Sequence, residues 1–260
     1  MAGIPSPQDS TASTAALARI PTGIEGLDRK IVGLTRGGSI LLIGDEGSGK
    51  TVFALQFAKS ACTLGLRTVF ISINRRGKEL RQQAESSGWG PAMLEATGLL
   101  RIVDHTQIEA CRIELAGLKC VTPHKGNFTE LMRYLTPGTE VMVIDRLDEY
   151  ARGLSAAEFH DGLEFFVRRL HDRGITALML MDGTAPAGWK KLAMESMGGV
   201  IQFFRWDNPN TGRMERALDI VKMAGARAPM GAMGYELETG GIAVRLDGER
   251  PLLRGIEDGS

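Results

Sequence analysis

Residues Gly44-Asp45-Glu46-Gly47-Ser48-Gly49-Lys50-Thr51 follow the apolar run Ser39-Ile40-Leu41-Leu42-Ile43 and open a helix-like segment from Val52 to Cys62. This is the strand–GxxxxGK[ST]–helix order of a phosphate-binding P-loop. Glycines at 44, 47 and 49 let the backbone turn tightly enough for successive N–H groups to converge on phosphate oxygens. The helix that starts near Gly49 adds its positive dipole end and its unpaired N–H groups. In such a loop Lys50 is expected to reach the β- and γ-phosphates, and the Thr51 hydroxyl to bind Mg²⁺. The stretch reads as a nucleoside triphosphate site.

The rest of the chain is what such a site needs around it. At 260 residues it is long enough to bury a sizeable core. Lys plus Arg and Asp plus Glu both total 31, so the formal charge is zero and lends no support to a nucleic-acid or membrane-surface partner. No apolar run approaches the roughly 18 residues of a membrane span, and the N-terminus has no basic-then-apolar signal pattern. Three cysteines (Cys62, Cys111 and Cys120) make no even disulfide framework. The expected location is a reducing cytoplasm.

Taken in order, residues 1–18 are rich in Ser, Thr, Ala and Pro and read as a disordered tail. Arg19 to Gly38 reads as tight turns leading into the P-loop strand. Thr68 to Ile73, Leu99 to Asp104, Glu140 to Asp145 and Ile175 to Met181 read as further buried strands. Between them, Lys78 to Ser87 and Phe128 to Leu135 read as helices, and 105–126, weakly periodic and irregular, as loop with room for one short helix. Ser155-Ala156-Ala157-Glu158 is a capping-box pattern. Behind it, Phe159, Leu163, Phe166 and Leu170 share one helical face. Strands alternating with helices predict an α/β fold with a mainly parallel sheet. After residue 199 the pattern changes to two antiparallel hairpins: Val200 to Trp206 with Arg213 to Met223, and Tyr235 to Leu237 with Ile242 to Leu246. The nucleotide-binding domain is expected over 19–248, with a C-terminal tail over 249–260.

Asp145 closes a strand whose four preceding residues are all apolar, as the Mg²⁺-holding aspartate of P-loop proteins does. Asp182 ends the next strand in the same way and is the alternative for that role, since open α/β sheets collect ligand groups at carboxyl-terminal strand ends. His105, Cys111, Cys120 and His124 match no common zinc spacing, and whether they bind a metal stays open. The basic pairs Arg75-Arg76, Arg168-Arg169 and Lys190-Lys191 could meet phosphates or be solvated faces. Met223, Met230 and Met233 read as core filling.

Pro21-Thr22-Gly23-Ile24-Glu25-Gly26-Leu27-Asp28, the P-loop, the strand ending at Asp145, and Val221-Lys222-Met223 followed by Gly240-Gly241-Ile242 together resemble a KaiC-type domain of the RecA superfamily. The likeness runs from about Ile20 to Leu246. The P-loop wording is also similar to that of FlaH, a single-domain archaellum member of the group. The resemblance implies a RecA-like P-loop core, ATP and Mg²⁺ as ligands, nucleotide bound between subunits and assembly into a homo-oligomer, often a hexameric ring. It also implies that Gly44, Asp45, Glu46, Gly47, Ser48, Gly49, Lys50 and Thr51 bind nucleotide in cis. Lys222 would reach a neighbour's γ-phosphate in trans. The family's paired glutamates after the second strand correspond here to Asn74 and Arg75. Its Lys-x-Arg corresponds to Lys222-Met223-Ala224, with Arg227 three residues on as a substitute.

The expected function is therefore an ATP-binding regulatory or assembly module with weak or no hydrolysis, signalling to a protein partner that the sequence does not name. Lys50 and Asn74 are its nearest approach to catalytic groups. An active ATPase motor subunit and a recombinase-like DNA-binding protein are the rival readings.

Overall fold

The computed structural model describes residues 19–108, 126–209, 212–225 and 231–245. The two tails, Cys111, Cys120, His124, Arg227, Met230 and Leu246 lie outside the described residues, as does most of the stretch read as irregular over 105–126.

Among the described residues the frame is a nine-stranded sheet. Its centre is β3 (Ser39–Gly44), flanked in parallel by β7 (Thr176–Asp182) and β8 (Gly199–Asn208). Beyond β7 come β6 (Thr139–Asp145), β4 (Arg67–Ser72) and β5 (Leu100–Val103), all parallel. Beyond β8 the pairing turns antiparallel through β9 (Arg213–Met223), β10 (Met233–Glu238) and β11 (Gly241–Val244). A separate two-stranded ribbon pairs β1 (Arg19–Ile20) with β2 (Leu34–Thr35). Both expected hairpins and the parallel core are present.

The parallel strands are apolar throughout because both faces of the sheet are covered. Alternation along each strand sends Ile40, Leu42, Phe70, Val141 and Val143 into one core and Leu41, Ile43, Val69, Ile71, Met142 and Ile144 into the other. The first core is closed by α1 (Glu25–Ile31) and α2 (Lys50–Thr63), the P-loop helix. The second is closed by a long helix over Ala156–Asp172, whose Phe159, Leu163, Phe166 and Leu170 are all fully buried. Burying each such side chain contributes about 1.5–3 kcal/mol. That helix starts at the predicted capping box: Glu158 N–H donates to the Ser155 hydroxyl, and Ser155 N–H donates to the Glu158 carboxylate. Met223 is buried and Met233 packs against the first core, as core filling requires.

Several local expectations need correcting. Arg19 to Gly38 is not turns alone: it holds α1, fixed by Asp28, whose carboxylate accepts from the N–H of Thr22 and Gly23 and from the Thr22 hydroxyl. Phe128–Tyr134 is helical as expected, and the helix takes the 3₁₀ form. Short helices over Pro91–Ala96, Leu147–Tyr150 and Ala187–Ser196 have too little apolar periodicity to be read from sequence. No helix among the described residues is long and apolar enough to cross a membrane.

Candidate functional site

All parallel strands point their carboxyl ends to one edge of the sheet, and the register brings Gly44 level with Asp182 on one side and Phe203 on the other. The P-loop rises from this edge. Gly49 has φ of 92°, a left-handed conformation in which an L side chain would be strained, and it starts α2 with no side-chain cap. A 14-residue helix whose first N–H groups are left without a capping side chain is an anion cradle.

Lys50 is buried and folded back onto the loop, where its Nζ donates to the Gly44 carbonyl and, at 2.8 Å, to that of Asp45. Its nearest carboxylate oxygen, Asp182 Oδ2, is 3.8 Å away. Burial pulls the ammonium below its ordinary pKa, and the charges of Asp182 and Asp145 offset this only in part. Thr51 Oγ1 donates to Asp145 Oδ2 at 3.0 Å. Asp145 is buried, which pushes its carboxyl upward against the opposing pull of the Thr51 hydrogen bond and of Arg75, Lys50 and Arg146. A hydroxyl and a carboxylate held together beside a buried lysine form the oxygen donor set that suits Mg²⁺ on a triphosphate. The residues present fit both groups, with Gly44–Thr51 as the cradle and Thr51 and Asp145 as the metal ligands. Bound there, Mg²⁺ would neutralise part of the phosphate charge.

Of the other expected residues, Asp45, Glu46 and Gly47 are exposed on the loop and Ser48 is buried under it. Asn74 is exposed just past the end of β4. Arg75 is half-buried beside it, with its guanidinium on Gln83 at 2.9 Å and its charge felt by Asp145. Asp182 is no surface residue: Thr184 donates to it through both N–H and hydroxyl, and Lys50 and Arg146 face it. Burial would raise its pKa, but these partners hold it below the ordinary carboxylate range. Lys222 stands elsewhere, with Nζ on the carbonyl of Glu195 at 3.4 Å. Of the four residues considered for zinc only His105 is described, and no metal-ligating cluster occurs among the described residues.

Sequence reading missed four contributors. Arg146 follows Asp145 directly and sits in the left-handed region at φ 75°. Its place next to a strand-ending aspartate was a usable signal. Tyr235 donates its buried hydroxyl to the Ser48 carbonyl, tying β10 to the P-loop. Arg205 on β8 lies so close to the loop that a Cβ on Gly47 would come within 2.5 Å of its Nη1. Gln56 on α2 donates to the Gly23 carbonyl at 2.8 Å and accepts from Ile242 N–H at 2.9 Å. Nothing local in the sequence marks the last three.

Comparison with known proteins agrees with this geometry. The family model described as the KaiC ATPase matches residues 20–249. The chain belongs to the KaiC family of ATPases. A KaiC-like protein of known structure from the hyperthermophilic archaeon Pyrococcus horikoshii OT3 superposes with a TM-score of 0.69 at 25% identity, covering 88% of this chain and 99% of that one. The circadian clock protein KaiC2 of Synechocystis is 26% identical over 238 residues, which is 88% of this chain and 40% of that protein. The circadian clock oscillator protein KaiC of Thermostichus vulcanus is 34% identical over 108 residues, 40% of this chain and 21% of its own length. This KaiC-family chain thus spans well under half the length of these two curated relatives, and the likeness is to one RecA-like P-loop domain.

Proposed function

We propose that this KaiC-family chain binds ATP with Mg²⁺, hydrolyses it slowly or not at all, and acts as a regulatory or assembly module. In this reading residues 19–248 form one nucleotide-binding unit that associates with copies of itself. It passes nucleotide state to a protein partner in a reducing cytoplasm.

The observation that carries the reading is the end of β4. In-line attack on a γ-phosphate needs a water held and polarised. Asn74 can orient a water, but its amide accepts no proton at neutral pH. Arg75 is cationic throughout. The buried carboxylates nearby have other work: Asp145 accepts from Thr51, and Asp182 accepts from Thr184 and faces two cations. Glu46 and Glu79 are both exposed, one on the P-loop and one in the first turn of α3 (Gly77–Ser86). Losing a general base lowers a rate by about 10²–10⁴-fold, enough to turn a motor into a holder of ATP.

Turnover and binding measured on the same samples test this. The wild-type chain is expected to bind Mg-ATP and turn it over well below about one per second, the low end of ordinary enzymes. Lys50→Ala should abolish binding. Asn74→Glu should raise turnover by about tenfold or more, within the range a general base supplies. Wild-type turnover of about one per second or faster, lost in Lys50→Ala, would replace this reading with that of a motor subunit.

A further inference from the structure

Arg146 is the group in the site whose bonding is least complete. Its backbone is in the left-handed region, with φ 75° and ψ 60°, where a non-glycine residue costs on the order of 1–2 kcal/mol. Its side chain is largely buried, yet Nε has no hydrogen-bond partner among the described residues. Nη2 reaches Asp148 Oδ2 at 3.0 Å, with Glu149 Oε2 at 3.8 Å. Nη1 lies 3.7 Å from Asp182 Oδ2, beyond hydrogen-bond length. Lys50 Nζ is 3.8 Å from that same oxygen. A buried cation and a half-buried one therefore converge on one carboxylate oxygen that neither of them bonds. A planar guanidinium with one arm anchored on Asp148, and its Nε and other arm under-bonded, is arranged to take a further anion.

The direction of approach decides which part of a nucleotide that anion would be. Arg146 follows the metal-side aspartate, Asp145, and it faces Asp182, which is level with Gly44 on the neighbouring strand. It thus enters the cradle from the end occupied by Lys50, Thr51 and Asp145. In a P-loop this is where the terminal phosphate and its metal lie. A diphosphate filling the loop leaves that end without its most exposed anion. A triphosphate places three acceptor oxygens there.

We propose that Arg146 is an in-cis sensor of the γ-phosphate, exchanging its long contact with Asp182 for charge-assisted hydrogen bonds to a terminal phosphate, so that the chain distinguishes ATP from ADP without a neighbour. The inference rests on the nucleotide-binding reading above and adds which residue reads the phosphate count. The alternative is a clip that merely fastens the helix over Leu147–Tyr150 to β7. A clip would move both nucleotide affinities together, or neither.

The test is equilibrium titration of dilute protein with Mg-ATP and with Mg-ADP, by displacement of a fluorescent nucleotide, for wild type, Arg146→Ala and Arg146→Gln. Losing charge-assisted hydrogen bonds to the terminal phosphate should weaken ATP binding about tenfold or more, while ADP binding shifts by less than about threefold on the same scale. Arg146→Gln keeps a polar side chain that can still bond Asp148. It answers the question if Arg146→Ala fails to give a cooperative melt. Equal shifts for ATP and ADP, or an unchanged ATP affinity, overturn the sensor while leaving nucleotide binding intact. A wild-type chain that binds neither nucleotide overturns the nucleotide reading, and the sensor with it.

Discussion

Gly183 lies outside the P-loop, yet it helps to set the shape of that loop. Its N–H donates to the Gly44 carbonyl at 2.8 Å, holding the turn after β7 against the start of the P-loop. A Cβ there would stand 2.2 Å from Asp45 Oδ1 and 3.1 Å from both Asp45 N and Gly44 C. The carboxylate can swing aside, but the two backbone atoms can yield only if the loop shifts. Gly183→Ala should therefore weaken ATP binding by about tenfold, or ~1.4 kcal/mol, in a protein that still melts cooperatively. An unchanged affinity by titration would mean that the loop absorbs the methyl group. The same lesson holds for Lys50: a buried ammonium resting on two carbonyls, with its nearest carboxylate beyond bonding distance, is a cation held ready for a phosphate rather than one already paired. Asp182 and Arg146 extend this at the same end of the cradle, where both cations stand just beyond bonding distance of one carboxylate oxygen. The consequential features are close approaches and incomplete pairings, which no motif spells out.

Between elements, one amide on the P-loop helix ties two distant segments together, and Ser60 one turn on adds a bond from its hydroxyl to the Pro21 carbonyl. Gln56 joins the segment before α1 to the start of β11, bonding one main-chain group of each. Beside it, the Tyr235 hydroxyl fastens β10 to the Ser48 carbonyl. Gln56→Ala leaves the buried Ile242 N–H and the Gly23 carbonyl without this partner, at a cost of about 1–3 kcal/mol. For a domain of this size that is a fall of roughly 2–4 °C in Tm for each kcal/mol. Calorimetric or denaturant unfolding checks it, and a loss below about 0.5 kcal/mol, the level of an ordinary surface change, would show that water replaces the amide. The parallel strands are legible in the sequence because covering both faces demands runs such as Val141–Ile144 with no polar break. The capped helix is legible because Ser155 and Glu158 advertise its start and four large apolar residues mark its face. The helix over Ala187–Ser196 buries only Ala193 fully, and α1 is seven residues long with a glycine in its first turn, so neither shows enough pattern to be seen. Of the site, the cradle and its aspartate are local in sequence and can be read there. Arg205, Tyr235 and Gln56 arrive from the antiparallel half and from the helix flank, through long-range packing that spacing alone does not encode.

Across the whole molecule, the sheet separates the two ends of the proposed ATP chemistry. The P-loop stands at the carboxyl edge, where Gly44 pairs with Phe203. Lys222 pairs with Val200, and Val200 with Leu41. It therefore sits three residues back along the strands, about 10 Å at the usual strand rise, towards the opposite edge. Its Nζ is on the carbonyl of Glu195, at the end of the helix over Ala187–Ser196. A lysine so placed points away from its own cradle and can serve a nucleotide only if another copy presents one. If it does, ATP affinity and self-association are linked quantities, because a cation from a neighbour favours assembly only when a γ-phosphate is present to meet it. We expect the mass measured by light scattering to rise with Mg-ATP and to rise less, or not at all, with ADP. Lys222→Ala should weaken the ATP-dependent step by about tenfold while monomeric protein keeps its melting temperature, since the residue lies half-buried at the sheet edge and gives up one long hydrogen bond. Arg146→Gln should blunt the same step by a different route, through a lower ATP occupancy that saturating ATP restores. Saturating ATP should not restore Lys222→Ala, whose own cradle is intact. Identical masses without nucleotide, with ADP and with ATP, at protein concentrations spanning the dissociation constant, would remove the trans lysine and leave a chain that reads its nucleotide without help from a neighbour.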